Sequence, residues 1–231
     1  NMKNTGYDHS EPILKNRAAG YEKILTNYRN ADFLDMTIPL SAGALYSTVE
    51  DLYLWDQALY LEKLLSKKYR DLLFTGYIPT ADGLEYAYGW SVGKLPVGNS
   101  KDSVRVIWHG GGINGFNTVL MRMPSEKNFV VLLNNTGGTR LDEMCRSIRG
   151  ILYGRTFDPP KRSMADKIMM LYSESGMEPA VKQFHEIKEK QHDKFYIDEN
   201  EMNAFGYFLL GQKKNKEAIE IFKLNVETFP Q

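Results

Sequence analysis

The hydrophobic positions along the chain follow a period of two in its middle part, and this period predicts strands. Apolar residues alternate with polar ones over Val104–Trp108, a run rich in β-branched and aromatic residues. Further strands are expected at residues 117–123 and 128–133, joined by a short Pro-Ser-Glu-Lys turn, and at residues 86–92. Residues 93–103 contain proline and glycine and are predicted to form a loop. Short connections between successive strands predict an antiparallel sheet.

A period near 3.6 predicts helices on either side of these strands. Ser47 and Glu50 have the spacing of a capping box, so a helix is expected from about Thr48 to Leu65, with Lys67 and Lys68 suiting its C-terminal end. Its predicted buried face contains Leu52, Trp55 and Leu59. Another helix is expected from Thr139, with one apolar stripe made of Leu141, Met144, Cys145, Ile148 and Leu152. The first 35 residues are polar, and only brief helices or strands are expected there.

The pattern changes near residues 157–162, where paired prolines predict a linker. We therefore predict two parts, an α+β domain at residues 1–157 and an all-α segment at residues 158–231. In the second part Ala180-Val-Lys-Gln-Phe184 recurs as Ala218-Ile-Glu-Ile-Phe222. This recurrence, together with Phe205, Gly206, Leu209 and Pro230, resembles a degenerate tetratricopeptide repeat, whose paired helices pack through small residues.

Composition excludes several classes of function. The chain is 42% hydrophobic and 25% charged, as is usual for a globular protein, and its 29 basic residues balance its 29 acidic ones. No net field favours nucleic acid or an anionic membrane, so no nucleic-acid partner is expected. The single cysteine, Cys145, cannot form an internal disulfide and is expected to be a buried thiol. We expect the chain to be cut from a longer protein, because neither end has a natural structural limit and a signal peptide is missing.

The candidate chemistry lies at the end of the central strand, where His109 is followed by Gly110, Gly111 and Gly112. Glycines leave the backbone uncovered, so another group can approach main-chain N–H donors closely. Such a strand end can bind an oxyanion or a carboxylate. The alternative is a glycine-rich hairpin corner with a surface histidine.

Four segments in this order extend the pattern beyond the glycine run: SAGALYSTVEDLYLWDQAL, YAYGW, WHGGGINGF and MPSEKNFVVLLNN. Together they resemble the C-terminal half of the serine β-lactamase and D-alanyl-D-alanine carboxypeptidase family, in its class C-like branch, over residues 2–153. The resemblance implies a partial transpeptidase-type antiparallel sheet with covering helices. It also implies that His109 helps to bind the substrate carboxylate and that Gly110 and Gly111 let the strand lie against substrate. The N–H of Gly112 would then be one of two oxyanion-hole donors.

The family's nucleophile is not found among these residues. Ser91 and Lys94 fit the letters of S-x-x-K, but residues three apart on a strand point to opposite faces. Tyr28-Arg-Asn30 fits Y-x-N but precedes Ser91, which reverses the family order. We therefore expect the catalytic serine, lysine and tyrosine upstream of Asn1, and a chain that is inactive alone. The intact protein would hydrolyse an amide, ester or β-lactam through an acyl-enzyme, without cofactor or metal, and the resemblance implies a periplasmic or extracytoplasmic location.

Three rival interpretations remain. Gly89-Trp-Ser91-Val-Gly93, Asp102 and His109 imitate the nucleophile elbow and triad of an α/β-hydrolase esterase, but the order and context are wrong for that fold. The helical segment could instead be a non-catalytic module that binds a protein partner. His185, Glu189 and His192 have metal-compatible spacing on a helix, yet a solvated face is the expected role, and His9 has no partner in sequence.

Finally, the strand at residues 128–133 is expected to lack a neighbour, and self-association through this edge is predicted.

Overall fold

The computed structural model describes residues 1–230, except for the side chain of residue 24, and the chain divides into two compact units. The first unit contains Asn1–Glu22 and Asn30–Pro159, and the second contains Lys23–Arg29 and the chain from Pro160 onward. In the described residues, no helix has the length and apolar character needed to cross a membrane.

A six-stranded sheet forms the centre of the first unit. Its strand pairs are all antiparallel, and the order is β10-β9-β8-β7-β6-β5. The bounds are β5 Ile78–Pro79, β6 Glu85–Tyr86, β7 Ser91–Pro96, β8 Ser103–Ile113, β9 Phe116–Met123 and β10 Asn128–Asn134. The antiparallel sheet predicted from sequence is confirmed, as is the β9–β10 hairpin. Strand β10 lies at the sheet edge, as expected.

Strand β8 is longer than its apolar alternation predicts, because it continues through the glycines. Gly110, Gly111 and Gly112 pair with Val119, Thr118 and Asn117 of β9. The chain reverses only after Ile113, at a turn where Gly115 has a φ of 75° that favours glycine. The alternative of a glycine-rich hairpin corner at His109 is therefore wrong.

The predicted loop at residues 93–103 is also wrong in its first part, since β7 runs to Pro96, which pairs with Ser103. Proline is tolerated here because β6 pairs only with the first two residues of β7, which leaves the N-side of Pro96 without a strand to bond. The carbonyl of Pro96 accepts a hydrogen bond from Nε of Arg149, at 3.0 Å.

The helix expected to run to Leu65 is shorter and is followed by another. Helix α1 is Val49–Ala58 and α2 is Lys67–Leu73, so Lys67 and Lys68 begin a helix instead of ending one. The N-cap is Thr48, one residue later than predicted, and its side chain accepts a hydrogen bond from the N–H of Asp51 at 3.2 Å.

The inner side of α1 is held by an ion pair as well as by apolar packing. Nε of Arg122, on β9, lies 2.6 Å from Oδ1 of Asp56, and both side chains are almost fully buried. The Arg122 guanidinium also stacks over the rings of Tyr60 and Phe74, 4.7 and 5.0 Å from their centroids. Trp55, predicted to be buried, is instead exposed, while Leu59 is buried as predicted.

The other face of the sheet is covered by helix α3, Leu141–Leu152. Leu141 and Cys145 pack with Val106, Met121 and Val130 in one apolar cluster, with Ile148 at its margin. The predicted stripe is thus confirmed at its centre, whereas Met144 and Leu152 are largely exposed. Ile107 and Val92 face the opposite way, toward Leu59 and Phe74.

The N-terminal part contains only brief strands, as predicted. They are β1 Gly6–Tyr7, β2 Tyr21–Ile24, β3 Asn27–Asn30 and β4 Leu45–Tyr46, with a 3-10 turn at Leu40–Ala42. Strand β1 pairs with β4, and the short β11, Thr136–Gly137, pairs in parallel with the start of β2.

From Pro160 onward, the described part of the second unit contains four helices and one short strand pair. Its elements are β12 Arg162–Ser163, α4 Met164–Ser175, α5 Met177–Lys190, β13 Phe195–Tyr196, α6 Glu199–Gly211 and α7 Asn215–Thr228. Helix α4 packs on α5 and α6, and α7 packs on α5 and α6. Of the repeated residues, Ala180, Phe184 and Ala218 are fully buried, whereas Phe222 is partly buried against the same core. Phe205 and Leu25 also lie in this core.

Candidate active site

His109 stands on the strand end where the sequence predicted the chemistry. The residue is exposed on β8 and points its imidazole toward Tyr86 of β6, and the two rings meet edge to face. Nε2 of His109 lies 3.0 Å from the Tyr86 hydroxyl, and Nδ1 is in hydrogen-bond contact with the carbonyl oxygen of Gly110. Both ring nitrogens therefore have a partner on the protein.

Successive residues of a strand point to opposite faces, so the three glycines after His109 leave both faces of β8 without side chains at these positions. A Cβ at Gly111 would lie 2.6 Å from Oγ1 of Thr118, so the Thr118 side chain of β9 already occupies the position of a side chain at this residue. A Cβ at Gly110 or Gly112 would meet only ordinary contacts, the nearest at 3.6 and 3.7 Å. The steric need for glycine is thus strongest at Gly111.

The edge of β8 is open beside these glycines. Strand β7 begins at Ser91, which pairs with Trp108, so in the described part of the chain no strand pairs with residues 109–113 on that side. Unpaired main-chain N–H and C=O groups along a strand edge form a template for an extended ligand. The predicted oxyanion donor, the N–H of Gly112, belongs to this segment.

Two polar atoms near the glycine run have no protein partner among the described residues. They are Nε1 of Trp108 and Oδ1 of Asn117, both buried. Asn117 pairs with Gly112, and its Nδ2 lies 3.7 Å from where a Cβ of that glycine would be. Buried polar atoms without partners are uncommon and are available to water or to a bound group.

The residues that match the S-x-x-K and Y-x-N motifs in sequence do not form the corresponding site in the structure. Ser91 and Lys94 lie on β7, paired with Trp108 and Arg105, so they are strand residues and not one helical turn apart. Tyr28 and Asn30 are exposed on β3. Neither match therefore has the helical geometry that the family's S-x-x-K motif needs, and Ser91 only faces Trp108 across the sheet.

The nucleophile elbow of the esterase interpretation is not formed either. The elbow needs a strand, a sharp turn and a helix, but Ser91 opens a strand of an antiparallel sheet. Asp102, the imitation triad acid, forms an ion pair with Arg155 at 2.8 Å. The α/β-hydrolase alternative is therefore wrong for this fold.

The remaining histidines have ordinary partners or surroundings. Nε2 of His185 lies 2.9 Å from Glu227, and this bond is the main cause that lowers the pKa of the glutamate. His9 lines a shallow cavity of about 200 Å³ with Asp8 and Asp35. Hydrogen bonds from Thr37 lower the pKa of Asp35. Among the described residues, three or more metal-ligating side chains do not cluster anywhere.

Sequence reasoning missed Tyr86 as a site residue, although the segment YAYGW was part of the family pattern. Its partner His109 is two strands away in the sheet, and no local spacing connects them. The same holds for Asn117, which only the β8–β9 register places opposite Gly112.

The fold and this strand end together define a class, an antiparallel-sheet protein with an open, glycine-lined strand edge beside a histidine. Comparison with known proteins identifies the family: the model of the Beta-lactamase family matches residues 1–150, and the chain belongs to it. Penicillin-binding protein 4* of Bacillus subtilis (strain 168) is 29% identical over 128 residues, which cover 54% of this chain and 27% of that relative.

Solved structures agree on the fold. A penicillin binding protein from Bacillus halodurans matches with a TM-score of 0.50 and 21% identity over 65% of this chain and 44% of its own. The octameric penicillin-binding protein homologue from Pyrococcus abyssi matches with a TM-score of 0.53 and 23% identity, over 67% of this chain and 35% of its own. A D-stereospecific amidohydrolase from Streptomyces sp. matches with a TM-score of 0.51 and 20% identity, over 65% of this chain and 43% of its own. The chain thus spans less than half the length of each of these relatives.

Proposed function

We propose that this chain forms one wall of the active site of a serine hydrolase that works through an acyl-enzyme. The observation that carries the proposal is the open edge of β8, which presents His109 and three glycines in a chain of the Beta-lactamase family. An extended substrate can pair with this edge, and the N–H of Gly112 can stabilise the oxyanion that develops during acyl transfer.

In this proposal the nucleophile, its lysine and the facing tyrosine come from residues N-terminal to Asn1, so the chain is the C-terminal half of the catalytic domain. Two facts support it: Ser91 and Lys94 lie on a strand and not one helical turn apart, and the matched residues cover only 27% of the curated relative. Without a serine at the glycine edge an acyl-enzyme cannot form, so these residues alone are expected to be inactive.

The proposed substrates are amides, esters or β-lactams, including D-alanyl-D-alanine peptides. Support comes from the names of the relatives, three of which name penicillin binding and one a D-stereospecific amidohydrolase. Enzymes of this kind acting on wall peptides work outside the cytoplasm, and we propose that location here.

Covalent labelling tests the proposal. This chain and a form extended upstream are incubated with a fluorescent penicillin and examined by intact mass. Labelling of the extended form alone supports a shared site; labelling of the short chain would return Ser91 as a nucleophile and overturn our assignment. If neither form is labelled, the β-lactam and peptidase functions are contradicted. Gly111→Val in the extended form should abolish labelling, whereas Gly211→Val, far from the strand edge in sequence and on α6, should not.

A second candidate function concerns the helical unit. We propose that α4–α7 are tetratricopeptide-like repeats that bind a protein partner. The supporting observation is the exposure of Tyr207, Ile219 and Val226, which leaves apolar side chains of α6 and α7 in solvent. Pull-down with the isolated protein, before and after Tyr207→Lys and Ile219→Glu, checks whether a partner depends on these side chains.

We further propose that the chain self-associates through β10, because that strand is a sheet edge with an exposed Leu133.

A further inference from the structure

Two contacts of the His109 ring together indicate which nitrogen carries the proton. A carbonyl oxygen only accepts hydrogen bonds, so Nδ1 of His109 must carry the hydrogen that it directs at the Gly110 oxygen. In a neutral imidazole the other nitrogen, Nε2, is then an acceptor. The Tyr86 hydroxyl lies 3.0 Å from Nε2 and is the donor that this acceptor needs.

The partners of the ring are uncharged groups. In the described chain the partners of His109 are a hydroxyl and a carbonyl, and no carboxylate lies within ion-pair distance. The neighbouring acid Glu85 packs its side chain against Gly76.

We propose that Tyr86 is a positioning residue that holds the His109 ring in the Nδ1–H tautomer, so that the strand end offers a substrate no ring N–H. The consequence for specificity rests on the proposed function. A carboxylate next to the scissile bond would find no donor on His109, so among the proposed substrates the site favours uncharged amides and esters over D-alanyl-D-alanine peptides, which end in a carboxylate. This differs from the expectation that His109 binds a substrate carboxylate.

The tautomer can be read directly on this chain by long-range ¹H–¹⁵N correlation spectra of the ring nitrogens at pH 8. Four histidines contribute signals, and His109→Asn assigns the one of interest. We expect Nδ1 to carry the proton in the unmodified chain. Tyr86→Phe should lose this single form and give a mixture of tautomers, while the fold remains intact because Tyr86 is partly exposed.

Tyr88→Phe is the matched control. Tyr88 lies two residues away, is 65% exposed and stacks on Tyr77 instead of on histidine. Its variant should keep the Nδ1–H form. An Nε2–H form in the unmodified chain, or an unchanged tautomer in Tyr86→Phe, would overturn the positioning role.

The specificity half is tested on the upstream-extended form with N-acetyl-D-alanyl-D-alanine and its C-terminal methylamide. We expect kcat/KM to be about tenfold higher for the methylamide, because the carboxylate lacks one hydrogen bond in this site. Tyr86→Phe should reduce this difference in kcat/KM between the two compounds. A higher kcat/KM for the carboxylate would overturn the proposed preference for uncharged substrates. If the extended form hydrolyses neither compound, the proposed function and the specificity fail together, whereas the tautomer result still decides the role of Tyr86.

Discussion

Single residues differ in how far the sequence reveals them. The histidine and glycines at residues 109–112 stand together in the chain, so their chemistry could be predicted from local pattern. The pairs Tyr86–His109 and Asp56–Arg122 could not, because each joins residues that only the folded sheet brings within hydrogen-bond distance. A buried ion pair also breaks the binary pattern, since Asp56 and Arg122 occupy positions where an apolar side chain is expected.

Removing one partner of the Asp56–Arg122 pair should be costly. Asp56→Ala leaves a buried guanidinium without its carboxylate and is expected to lower the free energy of unfolding by about 3–5 kcal/mol. Urea unfolding followed by tryptophan fluorescence measures this, because Trp55, Trp90 and Trp108 all lie in the first unit.

Two comparisons interpret that loss. The double variant Asp56→Leu/Arg122→Met removes both charges and should be more stable than Asp56→Ala. Asp71→Ala breaks the exposed pair with Lys67 and should change little. Equal losses in all three variants would mean that the buried charge is not the cause.

The Cys145 thiol should make stability depend on alkaline pH. Burial raises its pKa from the ordinary value of 9.0 to about 11, so the folded chain holds this proton more tightly than the unfolded chain does. The stabilising effect is complete below pH 9 and is lost as the pH rises from 9 to 11. Urea midpoints across that range should fall more steeply for the natural chain than for Cys145→Ala. Parallel curves would contradict the expectation.

At the level of elements, the sequence predicts type better than extent. Strand β8 was recognised from its alternation, but its continuation through three glycines depends on pairing with β9. Helix α1 ends at Ala58 although the apolar pattern continues, and residues 60–65 form turns before α2. In both cases tertiary contacts override local propensity.

The packing of α6 on α7 gives a prediction of its own. The Phe222 ring lies directly over Gly206, so a methyl group there would overlap it. Gly206→Ala is expected to destabilise the helices by about 1–3 kcal/mol, and Gly206→Ala/Phe222→Leu should recover part of the loss. Far-UV circular dichroism during urea unfolding measures the change.

Gly211→Ala is the control, because nothing lies within 4 Å of a Cβ at that position. It should leave the helices as stable as before or slightly more stable. A Gly206→Ala chain as stable as this control would show that Phe222 moves aside at little cost.

For the whole molecule, the sequence predicted a sheet followed by helices, and the structure contains both, but the two units are not successive stretches. Residues 23–29 belong with the helices of the second unit. The sequence gives no sign of this, because the segment is short and polar apart from Ile24, Leu25 and Tyr28. Its assignment depends on Leu25, which is buried in the helical core.

Self-association can be measured by light scattering over a range of concentrations. We expect the average mass to rise with concentration, because β10 leaves main-chain groups unpaired at the sheet edge. Leu133→Lys places a charge on that strand and should keep the chain monomeric. Ile151→Lys is the control, because it removes an exposed apolar side chain from α3 and not from the sheet edge. This variant should still self-associate. A monomer at high concentration would contradict the proposal.

The segment 23–29 also determines when the helical unit can be completed during synthesis. Thr26 contacts Met169 across 143 positions of the chain, so a ribosome must make the entire sheet before this early segment meets its helices. Until then Leu25 has no core to enter. A nascent chain stopped at Pro159 would thus hold residues 23–29 without the helices on which they pack, and Leu25 could be buried only after these helices are made.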